Sequence, residues 1–127
     1  MNLTSILKHI GKHIVVSNET ISGWKVKKYA DGTCEGYKDV EVSGTITALA
    51  SSGTLAAFGY FLINAQTLPS GITVDGVTAD LIKTDGWGFL VRMASGSTNA
   101  SYRFVTFGGG GTTRNLTIRW EFTGTWK

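Results

Sequence analysis

Histidines at positions 9 and 13 fall four residues apart, a spacing that places both on one face of a helix and could hold a metal ion. A zinc site needs three or four ligands, and no cysteine, aspartate or glutamate lies close by, while Lys8 and Lys12 would repel a cation. The pair is read as solvated, and neither a metal nor a cofactor is expected. The run FGGGGTTRN, Phe107 to Asn115, has the glycines of a phosphate cradle but no Gly-Lys-Ser/Thr ending. It stands between two strand-like runs, so a hairpin loop is expected there, with Arg114 at its base able to meet a ligand anion. The acidic residues Glu19, Asp31, Glu35, Asp39, Glu41, Asp75, Asp80, Asp85 and Glu121 are scattered, and Asp31, Asp75 and Asp85 each precede a glycine as turn formers. Their sequence positions pair no two of them across the cleft that a glycosidase requires. Cys34, the single cysteine, excludes an intrachain disulfide and lacks a neighbouring base in sequence. No enzyme is expected.

Aromatic residues beside turns offer a different chemistry. Trp87 follows the turn signal Asp85-Gly86, and Tyr102 follows the polar loop ASGSTNAS. An exposed ring can stack on the apolar face of a sugar, with aspartate and arginine bonding its hydroxyls. Trp87, Tyr102, Asp85 and Arg114 are therefore the candidate ligand-binding residues. The competing interpretation places these rings in the core or at a subunit interface.

The elements that must carry these residues divide the chain in two. Leu3, Leu7, Ile10 and Ile14 follow one another at spacings of four, three and four, the seam of a coiled coil. Residues 1–18 are expected as a short helical segment, packed on its own domain or forming the end of a stalk shared between chains. Residues 19–127 switch to period two. ITALA, LAAFGYFLI, ITV, VTADLIK, WGFLVRM, YRFVTF and LTIRWEF are strand-like runs broken by small and polar residues. In Thr117–Phe122, Ile118, Trp120 and Phe122 alternate with Thr117, Arg119 and Glu121, one side buried and one wet. The expected fold is all-β: an antiparallel, jelly-roll-like β-sandwich of about eight strands preceded by the short helix. Asp31-Gly32 is expected to form a type I′ hairpin turn between Trp24–Ala30 and Thr33–Lys38.

Composition sets limits. The 127 residues suit one domain, and the charged fraction of 17% is well below the roughly 25% of ordinary soluble domains. Part of the surface must then be uncharged or covered by a partner. The +3 net charge is dispersed apart from Lys25, Lys27 and Lys28, which gives no nucleic-acid footprint. No apolar run reaches the ~18 residues of a membrane span, and the first residues do not read as a signal peptide. The triplets starting at Asn2, Asn18, Asn99 and Asn115 match the glycan acceptor pattern by chance in so Ser/Thr/Asn-rich a chain.

Trp24, Lys28-Tyr29, Asp31-Gly32 and Cys34-Glu35-Gly36-Tyr37, together with the closing FTGTWK containing Gly124 and Trp126, form a pattern. It resembles the C-terminal head domains of tail-fibre and minor structural proteins from phages and prophages of Gram-positive hosts. The resemblance runs over residues 20–127, with Gly36-Tyr37 standing where the family usually has a tryptophan after the glutamate. It implies a homotrimeric head in the virion tail, assembled in the bacterial cytoplasm alongside other tail or baseplate proteins. Its implied role is attachment to a host surface saccharide, with Leu3, Leu7, Ile10 and Ile14 as the trimer seam. The alternative is a monomeric carbohydrate-binding module of a cell-wall-active enzyme.

Overall fold

The computed structural model describes Leu3 and residues 14–93, 101–107 and 110–127. Nine strands account for most of them: β1 Val15–Ile21, β2 Trp24–Tyr29, β3 Thr33–Thr45, β4 Thr47–Ala48, β5 Phe58–Ile63, β6 Thr73–Thr84, β7 Phe89–Arg92, β8 Tyr102–Phe107 and β9 Thr113–Thr125. They form two antiparallel sheets, a five-stranded one in the order β1-β2-β3-β9-β6 and a four-stranded one in the order β4-β5-β8-β7. The chain passes between the sheets four times, and β9 enters last, between β3 and β6. All-β architecture is therefore as expected, with nine strands split five and four.

Alternation along β9 explains why it lies inside the larger sheet, between β3 and β6. Leu116, Ile118, Trp120 and Phe122 are buried, while their neighbours Thr117, Arg119, Glu121 and Thr123 face outward. The facing sheet contributes Phe61, Ile63, Tyr102 and Phe104 to the same core, with the Phe61 and Phe104 rings 5.4 Å apart. Two indoles at the heart of this core differ in their polar end. Trp24 Nε1 donates to the Thr67 carbonyl at 2.7 Å, whereas Trp120 Nε1 has no acceptor.

Three local expectations are corrected. Val15–Asn18, assigned above to a helical segment, belong to β1 and pair with Lys27–Tyr29. Ile14 lies outside any helix and accepts a hydrogen bond from Ala30 N–H at 2.9 Å, so it is not a seam residue of a stalk. The β-branched run Ile14-Val15-Val16 accounts for this, because it packs better on a pleated surface than in a helix. Leu3 is 70% exposed, while Leu7 and Ile10 lie outside the described residues.

The third correction concerns turns. Both central residues of the two-residue turn Ser22–Gly23 have positive φ (52° and 84°), so the type I′ geometry occurs there, joining β1 to β2. At Asp31-Gly32 only the glycine does, with φ 94°. Asp31 instead uses its carboxylate, which accepts bonds from Thr33 N–H at 2.9 Å and Thr33 Oγ1 at 2.6 Å.

The two parts of the sequence pattern meet at this turn. Trp126 N–H donates to Gly32 O at 2.9 Å and Trp126 Nε1 donates to Tyr29 O at 2.8 Å. Lys28 Nζ lies 5.5 Å from the Trp126 ring centre, and Cys34 is paired with Gly124. A side chain at Gly124 would run into the Thr73 carbonyl of β6, so the closing glycine permits close backbone approach. The pattern is a latch that fastens the chain end over the β2–β3 hairpin.

Candidate functional site

The crossing from β6 to β7, Thr84 to Gly88, passes over one end of the sandwich and is fixed from both sides. Thr84 Oγ1 donates to Gly86 O at 2.8 Å and accepts from Gly86 N–H at 3.2 Å. Asp85 N–H donates to Asn115 O at 3.2 Å, while Asp85 Oδ2 accepts from Asn115 N–H at 3.1 Å and Asn115 Nδ2 at 3.0 Å. Ser43 Oγ in turn donates to Asn115 Oδ1. The Trp87 carbonyl accepts the buried Thr106 hydroxyl. A side chain at Gly88 would strike the Phe104 ring, which is 0% exposed, so glycine is what lets the core reach up beneath this turn.

On this frame Trp87 is 58% exposed. Phe107 lies under it, centroids 4.7 Å apart and tilted 30°, and Phe89 meets it edge-on at 5.8 Å. Arg114 has the inward parity of Leu116 and Ile118, so its stem enters the end of the sandwich beneath Gly86. A Cβ at Gly86 would lie 2.8 Å from Arg114 Nε, and that buried nitrogen has no acceptor. Three of the four expected ligand residues, Asp85, Trp87 and Arg114, are thus gathered at one end, with Asn115 as a fourth polar member. Asn115 was not foreseen; its signal is its place directly after Arg114 at the start of a strand.

Tyr102 is a correction. It is 5% exposed, its ring stands edge-on to Trp120 at 5.5 Å, and its hydroxyl accepts from Ala79 N–H at 3.2 Å. Its parity with Phe104 and Thr106 along β8 turns it inward, so no sugar ring can stack on it.

The outer face of the larger sheet holds a second feature, a groove of about 730 Å³. Tyr37 stands in it with Lys25 Nζ 5.5 Å and the Arg119 guanidinium 4.8 Å from its ring centre. Asp39 grips that guanidinium in two bonds, to Nε at 2.8 Å and to a terminal nitrogen at 2.9 Å. The arginine holds the Asp39 carboxyl below its usual range, and Lys28, 2.7 Å from Glu19, does the same there. These pairs are exposed to solvent and satisfy one another. With two cations against its ring, Tyr37 offers less free aromatic surface than Trp87.

Among the described residues no group of three metal-ligating side chains occurs, and no helix is long and apolar enough to cross a membrane. Burial pushes the Cys34 thiol up, away from the thiolate a nucleophile needs.

No protein-family model and no curated protein matches the chain. Among solved structures it is similar to an N-truncated R1-type pyocin tail fibre, with a TM-score of 0.45 and 10% identity over 98% of this chain and 97% of that one. It is also similar to a C-terminal fragment of the Pseudomonas aeruginosa R1 pyocin fibre, with a TM-score of 0.41 and 12% identity, covering 98% of this chain and 32% of that one.

Proposed function

We propose that this chain is the head domain of a phage or prophage tail appendage, a non-enzymatic, homotrimeric adhesion protein that binds a host surface saccharide. The sequence pattern at Trp24–Tyr37 and Phe122–Lys127 motivates the family reading, and the host it suggests is Gram-positive. The observation that carries the binding role is Trp87: one ring face open, the other backed by Phe107, on a turn whose backbone is tied at Asp85, Gly86 and Trp87 itself. An apolar sugar face stacks on such a ring with little conformational entropy to lose, and the Asp85–Asn115 pair anchors the same turn two residues earlier.

The test is binding of the wild-type chain and Trp87→Ala to purified cell-wall polysaccharide and teichoic acid, with lipopolysaccharide as the Gram-negative counterpart. The expected result is saturable binding to a wall polymer, weakened about ten-fold or more by Trp87→Ala, a loss of at least ~1.4 kcal/mol. Tyr37→Ala, on the opposite face, should bind as wild type. Equal binding by wild type and Trp87→Ala would refute the site, and release of reducing sugars from the wall would refute the non-enzymatic role.

A further inference from the structure

The smaller sheet has a second apolar side. Inward residues of β5 and β8 fill the core, and the outward ones are apolar as well, Arg103 excepted. Register places them in rows. Leu49 (by its bond to Phe58), Phe58, Phe107 and Trp87 form the first row, Tyr60, Val105 and Phe89 the second, and Leu62, Arg103 and Val91 the third, with Met93 beyond. Leu62 is 61% exposed, Phe107 52%, and Phe89, Val91, Met93 and Leu49 are also open. Leu49, Leu62, Phe89, Val91, Met93 and Phe107, six of the exposed large apolar residues among the described ones, share this one face, and an apolar patch so gathered marks an interaction surface. By contrast, the outer face of the larger sheet is charged, with Lys25, Lys27, Glu35, Asp39, Arg119 and Glu121 on it.

We infer that the outer face of β4-β5-β8-β7, centred on Leu62, Tyr60, Val105, Phe89 and Val91, is the surface by which one copy of this chain packs against another, a conclusion that rests on the homotrimeric reading. A second copy is favoured over the chain's own first residues by geometry. Those residues enter the fold at Ile14, at the β1 edge of the other sheet, and Leu3, the one of them that the structure describes, is 70% exposed rather than buried against this face. Arg103 gives the contact its one polar point. Its guanidinium lies 4.7 Å from the Tyr60 ring centre, a cation held on an aromatic face at the patch surface. Trp87 sits at the margin of the patch, which leaves its outer face for ligand.

The experiment compares the wild-type chain with Leu62→Glu/Val91→Glu by light scattering at tens of micromolar, with circular dichroism as the check on folding. Wild type is expected at three chain masses and the folded double variant at one, while a Lys25→Glu control on the charged sheet stays assembled. A third chain, Leu62→Cys, is treated with a maleimide. In the assembly its thiol should react at least ten-fold more slowly than in the same chain diluted to monomer. This measurement decides the matter should the glutamate variant fail to fold. Assembly retained by a folded double variant, or a Leu62→Cys thiol fully reactive in the assembly, overturns this surface while leaving the trimer standing. A wild-type chain that stays at one chain mass overturns both, whether the thiol is open or is covered by the chain's own first residues.

Discussion

Replacing each core tryptophan in turn by phenylalanine tests the reasoning about buried polar groups. Trp24 and Trp120 are both 0% exposed, so shrinking either ring leaves a comparable void, about 1 kcal/mol for roughly 40 Å³ at 24 cal/mol per Å³. The difference lies at the nitrogen. Trp24→Phe also removes the bond to Thr67 O, about 1 kcal/mol net, since the exposed Thr67 carbonyl can turn to water. Trp120→Phe instead removes an N–H with no acceptor, whose burial costs roughly 1–3 kcal/mol. Trp24→Phe should therefore be the less stable variant by about 2–4 kcal/mol. At an m-value of ~2 kcal/mol/M this separates the urea midpoints by about 1–2 M, read by far-UV circular dichroism at one fixed protein concentration. Equal midpoints, or Trp120→Phe unfolding first, would show that the Trp120 nitrogen is satisfied and that the argument from an unpaired group is wrong.

Gly88→Ala forces a Cβ into the immobile Phe104 ring, so it should cost about 1–3 kcal/mol and displace the Trp87 turn, seen as a loss of saccharide binding together with a changed near-ultraviolet tryptophan spectrum. Asp39, held by Arg119 below its ordinary value of 3.8, stabilises the fold above that value, and the contribution disappears as pH falls through the lower, folded value. Thermal melts from pH 7 to 2 should accordingly show Asp39→Asn below wild type at neutral pH and converging with it at the acid end; parallel curves would contradict the pairing.

Much of this fold could be read from alternation. Ile118, Trp120 and Phe122 against Thr117, Arg119 and Glu121 fixed which side of β9 is buried, because side chains of a strand alternate whatever its neighbours are. The same rule, applied to Tyr102 through its parity with Phe104, would have turned that ring inward; its position after a polar loop was the weaker signal. Both parities of FGYFLI are apolar, the pattern a sheet buried on two sides would carry. Asp85-Gly86 and Trp87 announced an aromatic at a turn. Its tie to Asn115, thirty residues away, could not be seen, because that pairing depends on β9 returning to lie beside β6.

By itself, then, the chain of residues determined strand character over most of residues 19–127, the buried and wet sides of β9, and a low share of charged residues. Only the tertiary structure decided that β9 enters between β3 and β6, that Val15–Ile21 extends the sheet at its edge, and that the uncharged surface is gathered on one side of the smaller sheet. The physical reason is range. Alternation is set by each residue's own backbone geometry, whereas strand order and the uniting of distant outward residues into one face follow from the packing of the whole chain.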